Sequence, residues 1–95
     1  MLDDVRPDVV HITTPPATHF PLAMDAIACG AHVIVEKPIT RTLEELATLQ
    51  RLAAAKNCHI VEDHNYLYNT PVRRMLDLVR TGELGTVVHL SLIHI

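Results

Sequence analysis

The sequence predicts an α/β fold: an incomplete parallel sheet with flanking helices, in the order β-α-β-α-β-α-β. Three observations predict it. Short, β-branched apolar runs recur at residues 8–13, 32–35, 59–62 and 86–89. Apolar positions at helical spacing fill the stretches between them. Proline or glycine closes most of the elements.

The first run, Asp8-Val9-Val10-His11-Ile12-Thr13, reads as a buried strand of a parallel sheet. It stops at Thr14-Pro15-Pro16, because two prolines forbid continuation of a central strand. Thr18 is the expected N-cap of a helix whose inner face carries Phe20, Ala23, Met24 and Ile27, and Gly30 supplies its left-handed stop. The second strand, 32–35, ends at Glu36-Lys37-Pro38. Thr42 and Glu45 then form a capping box for a second helix, lined by Leu46, Leu49 and Ala53 with Leu52 close by and ended by Asn57. The third strand, 59–62, leads into the polar and aromatic segment 63–69. Pro71 takes a first-turn position in a third helix striped by Val72, Met75, Leu76 and Val79. Arg80 lies in its last turn, Gly82 ends it, and Gly85 turns the chain into a fourth strand over 86–89.

Composition narrows the function classes. The 95 residues suffice for one small domain, and such a chain buries a limited share of its surface. The net charge of −3 gives no electrostatic case for nucleic acid or an anionic membrane. The longest apolar runs are far too short to span a bilayer. Cys29 and Cys58 form neither a CxxC pair nor a disulfide framework, so both read as reduced thiols of a cytoplasmic protein. The seven histidines lack metal-ligand spacing: His59 starts a strand and His64 leaves it, while His11 and His32 lie inside strands, so no metal is expected. Arg73 and Arg74 read as a solvated helix face.

In an open parallel sheet, ligands bind beyond the carboxyl ends of the strands. That rule selects Thr13-Thr14-Pro15-Pro16, Glu36-Lys37-Pro38 and Glu62-Asp63-His64-Asn65-Tyr66, which should line one rim. Lys37 is the most informative residue. It directly follows a strand and precedes a rigid proline, so its backbone is held, and partial burial would lower its pKa toward proton-transfer chemistry, with Glu36 setting its charge. Asp63 and His64 lie near the same edge and could assist.

These motifs occur in a fixed order: a strand with Thr14-Pro15-Pro16 and His19, a helix, then Gly30-Ala31-His32-Val33-Ile34-Val35-Glu36-Lys37-Pro38, then Glu44-Glu45 and Gly82-Glu83-Leu84-Gly85. The pattern closely resembles the Gfo/Idh/MocA family, the glucose–fructose oxidoreductase and inositol dehydrogenase group, over nearly the whole chain. The resemblance implies that the sheet is the C-terminal half of a Rossmann-like domain that binds NAD or NADP. It implies hydride transfer to or from a sugar, polyol or related carbonyl substrate. Lys37 would be catalytic, hydrogen-bonding the reacting oxygen near the nicotinamide, and the Lys37–Pro38 bond would be cis. Residues 13–16 (Thr13, Thr14, Pro15, Pro16) and His19 would lie along the dinucleotide, Glu36 by the nicotinamide ribose, and Pro38 and Asn65 close to the same group. Many relatives carry an arginine where this chain reads Tyr66-Leu67-Tyr68-Asn69.

The resemblance also predicts missing parts. None of Gly30, Gly82 and Gly85 forms the glycine-rich turn that holds a pyrophosphate, and the second domain with its aspartate and histidine is absent. Residues 1–89 are therefore expected to be part of a dinucleotide-binding domain. Residues 90–95 (Leu90-Ser91-Leu92-Ile93-His94-Ile95) would be either the start of the second domain or translated sequencing adapter. Met1 would be an internal methionine, the isolated chain inactive, and its parent a homo-oligomeric dehydrogenase. The competing reading is a non-catalytic dinucleotide-binding or sensor protein of the same fold, against which an intact Lys37 argues.

Overall fold

A computed structural model describes residues 2–91. The chain divides into two compact units, with the boundary between His64 and Asn65.

The first unit opens with a single helical turn, α1 (Leu2–Val5), and then alternates strand and helix: β1 (Val9–Ile12), α2 (His19–Ala28), β2 (His32–Glu36), α3 (Leu43–Lys56) and β3 (Ile60–Asp63). The three strands are parallel in the order β1-β2-β3, as the alternating pattern predicts. Register pairs Val10 with Val33 and Ile12 with Val35, and then Val33 with Ile60 and Val35 with Glu62. Paired residues share a face, so Val10, Ile12, Val33, Val35 and Ile60 form one apolar surface. This surface packs against Ala23, Ala26 and Ile27 of α2 and Leu49 and Ala53 of α3 in one continuous core. Phe20, Met24 and Leu52 pack at its margin.

Both helices cover the same face. The opposite face carries Val9, His11, Ile34 and Val61, and Val9 and Val61 are 50% and 52% exposed. The expectation of a buried first strand is therefore corrected: only alternate residues of β1 are covered, because among the described residues the core helices α2 and α3 pack on one face.

The turn chemistry explains how helices hand over to strands. Gly30 adopts φ +87°, its N–H donates to Ile27 O, and Ala31 N–H donates to Ala26 O, the paired bonds of a Schellman stop. Asn57, at φ +56°, does the same for α3, with Cys58 N–H donating to Ala53 O. Thr42 caps α3 as expected, accepting from Glu45 N–H at 3.1 Å. The reciprocal arm reaches Arg41 N–H instead of Thr42, at 3.5 Å, so the capping box is only half made. Replacing Thr42 with alanine should lower unfolding free energy by about 1 kcal/mol, since one helix N–H loses its acceptor. Urea denaturation reads this directly, and an unchanged midpoint would contradict the cap.

Thr18 does not cap α2. Its backbone is already helical, closing a 3-10 turn over Pro16–Thr18, and its hydroxyl donates backward to Pro15 O at 2.7 Å.

The second unit contains a 3-10 turn (Asn65–Tyr68) and α4 (Thr70–Arg80), with Pro71 in the first turn. Gly82 and Gly85 take φ +82° and +72° after it. The expected strand over 86–89 does not form; those residues lack regular structure, with Val88 at 92% exposure. A strand is half of a hydrogen-bonded ladder, and the described residues of this unit include no second strand to pair with. The apolar stripe of α4 instead lines a shallow cleft with Leu84, Val87, Val88 and Leu90. Leu90 and Ser91 are likewise irregular, while Met1 and residues 92–95 lie outside the described residues. Both cysteines are free thiols. No helix among the described residues is long and apolar enough to cross a membrane.

Candidate functional site

Parallel strands deliver successive turns to the same rim, and here hydrogen bonds tie those turns together. The turn after β1 holds Thr13, Thr14, Pro15 and Pro16, all solvent-exposed. Thr18 spends its one hydroxyl proton on Pro15 O, so the contact between the Thr14 and Thr18 hydroxyls is donated by Thr14. The Thr14 hydroxyl oxygen, on an exposed residue, keeps its lone pairs available as an acceptor. Pro15 and Pro16 have no N–H, so this turn offers no backbone nest for a phosphate.

The turn after β2 holds Glu36, Lys37 and Pro38, and the Lys37–Pro38 peptide is cis. Glu36 is the last residue of β2, one position beyond the expected strand end. Its Oε2 accepts from the backbone N–H of Lys37 at 3.0 Å rather than from the ammonium. Lys37 is exposed, not part-buried as expected, so the described residues do not supply the low-dielectric surroundings assigned to it. Among the described residues its Nζ makes no hydrogen bond or ion pair. A cation held on a fixed backbone with all three donors open is suited to an anionic or strongly polarised oxygen.

The end of β3 contributes Glu62, Asp63 and His64. Glu62 Oε2 accepts from Ile39 N–H at 3.2 Å, joining the second turn to the third strand, and Oε1 meets His64 Nε2 at 2.8 Å. Asp63 pairs in register with Glu36, and its Oδ2 lies 3.3 Å from Nε2 of His11, which reaches across β2 on the uncovered face. His32 is satisfied within the sheet, accepting from His59 N–H and stacking on the His59 ring.

His19 departs most from its expected place. The side chain is 1% exposed and turned inward, with Nδ1 2.8 Å from Pro38 O and Nε2 2.7 Å from Thr14 O. Its polar atoms are occupied by the two turns and not open to a ligand. Asn65 begins the 3-10 turn of the second unit and belongs with that unit.

Thus Thr13, Thr14, Pro15, Pro16, Glu36, Lys37 and Pro38 come together at one rim of the first unit. Sequence reasoning missed the joining role of Glu62. Its signal was a carboxylate on the apolar side of the strand alternation, which a buried face tolerates only if hydrogen-bonded. Among the described residues no group of three histidine, cysteine or acidic side chains could hold a metal ion.

The rim fits one part of a dinucleotide. An available acceptor on Thr14, the free Oε1 of Glu36 and the open ammonium of Lys37 suit ribose hydroxyls and a reacting oxygen. The proline-rich turns do not suit a pyrophosphate.

Comparison with known proteins gives the same direction. The family model for Gfo/Idh/MocA, described as an oxidoreductase family with an NAD-binding Rossmann fold, matches residues 1–64. The chain is similar to a glycosyl hydrolase family 109 protein of Akkermansia muciniphila, at 35% identity over 89 residues, covering 94% of this chain and 19% of the relative. It is equally similar to the uncharacterized oxidoreductase YdgJ of Escherichia coli K12, at 35% identity over 89 residues, covering 94% and 26%. Among solved structures, an oxidoreductase from Bacillus cereus matches with TM-score 0.77 and 34% identity over 88% of this chain and 24% of that one. An inositol dehydrogenase homolog from Azotobacter vinelandii, complexed with NADH and myo-inositol, matches with TM-score 0.67 and 35% identity over 82% and 21%. The chain therefore spans 19–26% of the length of those two curated relatives.

Proposed function

This chain belongs to the Gfo/Idh/MocA oxidoreductase family, with its NAD-binding Rossmann fold, and from that premise we propose that it forms the nicotinamide-side rim of an NAD(P)-dependent dehydrogenase acting on a sugar, polyol or related carbonyl compound. The observation that carries the reading is the Lys37 ammonium, without a partner among the described residues, on the turn after β2 beside a carboxylate whose second oxygen is open.

The turns 13–16 and 36–38 would hold the nicotinamide end of NAD(P), which when bound would supply the hydride chemistry. Lys37 hydrogen-bonds the substrate oxygen whose carbon exchanges that hydride and stabilises the charge that gathers there. Glu36 accepts from the nicotinamide ribose through its free Oε1, while Thr14 accepts from the dinucleotide along the first turn. The free thiols of Cys29 and Cys58 agree with a reducing, cytoplasmic setting. The functional unit takes a small-molecule substrate rather than nucleic acid or membrane, and the proposed assembly is a homo-oligomer.

The test is to express the gene product at its full encoded length, supply NAD or NADP, and screen cyclic polyols and sugars for reduced nicotinamide. Substrate-dependent reduction is expected with at least one polyol or sugar, and no reduction across the panel would contradict the reading. Glu36→Gln should weaken NADH binding about fivefold to tenfold, because a charge-assisted acceptor becomes a neutral one. Fluorescence titration with NADH checks it, and unchanged affinity would remove Glu36 from the ribose contact.

The similarity to a glycosyl hydrolase family 109 protein favours a second reading. Oxidising a sugar carbon acidifies the neighbouring C–H and loosens the glycosidic leaving group, so the same hydride chemistry could serve bond cleavage with no net change in cofactor. Release of the leaving group from an aryl glycoside without net nicotinamide reduction would select this reading.

A further inference from the structure

Among the described residues His19 is the one buried polar side chain, and its ring provides the only side-chain link between the turn after β1 and the turn after β2. The remaining hydrogen bonds of the first turn stay within it, from Thr14 to Thr18 and from Thr18 to Pro15. Those of the second turn run to Glu36 within it and to Glu62 of β3, on the side away from β1. Parallel ladder bonds stop at the strand ends, Ile12 and Glu36, so they do not fix the spacing of the turns beyond.

The ring is placed to do this. His19 is the first residue of α2, whose buried face packs Ala23, Ala26 and Ile27 into the core, so the imidazole has little freedom to move. A neutral ring donates one N–H to one of the two carbonyls, and an imidazolium donates to both. Either state holds at least one turn to the helix, and burial without any bond would leave ring and carbonyl unsatisfied. No charged side chain of the neighbouring elements engages the ring: His11 meets Asp63, Glu36 accepts from Lys37 N–H, Glu45 from Arg41 N–H, and Glu62 from Ile39 N–H and His64.

We infer that His19 is a positioning residue: seated between Thr14 O and Pro38 O, with an N–H donated to at least one of them, the buried ring sets the distance between the Thr14 turn and the Lys37–Pro38 turn and makes no contact with the dinucleotide itself. This rests on the dinucleotide reading above for its effect on affinity, but not for its effect on the turns.

The experiment compares wild type, His19→Phe, His19→Gln and Gly30→Ala in the gene product at its full encoded length. Phenylalanine keeps a planar ring but removes both nitrogens. Glutamine keeps a donor that can reach one carbonyl. Alanine at position 30 strains a φ of +87° at the opposite end of α2, with nothing within 4 Å of the added methyl, and so controls for general loss of stability. Two readouts are taken: NADH affinity by fluorescence, and hydrogen exchange of segments 13–18 and 36–41. His19→Phe should weaken NADH about tenfold and speed exchange in both segments, with His19→Gln between it and wild type. Gly30→Ala should change affinity by less than about twofold and leave both segments protected, because strain relieved locally does not reach the rim.

The inference is overturned if His19→Phe leaves both segments as protected as wild type, or if Gly30→Ala loosens them equally. Should wild type bind no NADH, the dinucleotide reading fails while the exchange comparison still decides the bridge. Should His19→Phe fail to fold, His19→Gln and the wild-type ring decide it. A His19 ring N–H protected from solvent exchange supports the bridge, and one exchanging like an exposed histidine overturns it.

Discussion

Lys37→Ala is expected to lower kcat of the full-length gene product by about 10²- to 10⁴-fold, the range that a positioned proton-transfer or charge-stabilising group contributes. The reason is geometric. Lys37 follows the last residue of the central strand, its N–H is held by Glu36, and Pro38 beyond it is gripped through its carbonyl by His19. Its Nζ is free of partners among the described residues, so removing it costs the fold little. The loss should therefore appear in kcat with NADH affinity nearly unchanged, and with an unfolding midpoint close to wild type. Lys37→Arg should recover little: the charge remains, but a guanidinium neither transfers a proton at neutral pH nor occupies the same point. Steady-state kinetics at saturating cofactor measures this. Turnover unchanged in Lys37→Ala would remove the residue from the chemistry.

The second large effect is on stability. Leu49→Ala should cost about 3 kcal/mol. Leu49 is fully buried on α3, in the same core as Ala23, Ala26 and Ile27 of α2 and the sheet residues Val33 and Val35. Small residues dominate the α2 contribution, so the helices sit close and no long side chain is available to collapse into the space left behind. A chain of this size has about 5–14 kcal/mol in total, so this one truncation removes a substantial fraction of it. By contrast Leu43→Ala, at a side chain 83% exposed, should change stability by less than about 0.5 kcal/mol. Urea unfolding of both variants checks the contrast, and equal losses would mean that α3 does not bury the face described.

The alternation of β-branched runs with helical spacing made the parallel sheet legible, because the two periods, 2 and 3.6, leave different traces. Helix stops were legible too. Gly30 and Asn57 stand where a left-handed residue was needed, and both adopt positive φ. The rim followed from topology alone, since parallel strands all end at the same edge. What local sequence did not carry was anything set by an absent or distant neighbour. The run 86–89 has strand composition but no ladder to join among the described residues of its unit. The first strand read as buried because Val9 and Val10 are equally apolar, while only the placement of helices decides which one is covered. Thr18 has a capping side chain, yet the preceding 3-10 turn already satisfies the first N–H of α2, that of His19, and turns the hydroxyl backward. His19 was read as a ligand residue from its place in the motif. Its inward rotation depends on two carbonyls, one of them 19 residues away in sequence.

The central claim is that the strand ends bring Thr14, Glu36 and Lys37 to one rim where the nicotinamide half of a dinucleotide lies. A crystal structure of the full-length gene product grown with NADH tests it most directly. The account predicts the nicotinamide ring over the turns 13–16 and 36–38, with the Lys37 ammonium within hydrogen-bonding distance of the substrate pocket beside it. A dinucleotide bound at the other end of the strands, by Asp8, Ala31 and His59, would contradict it.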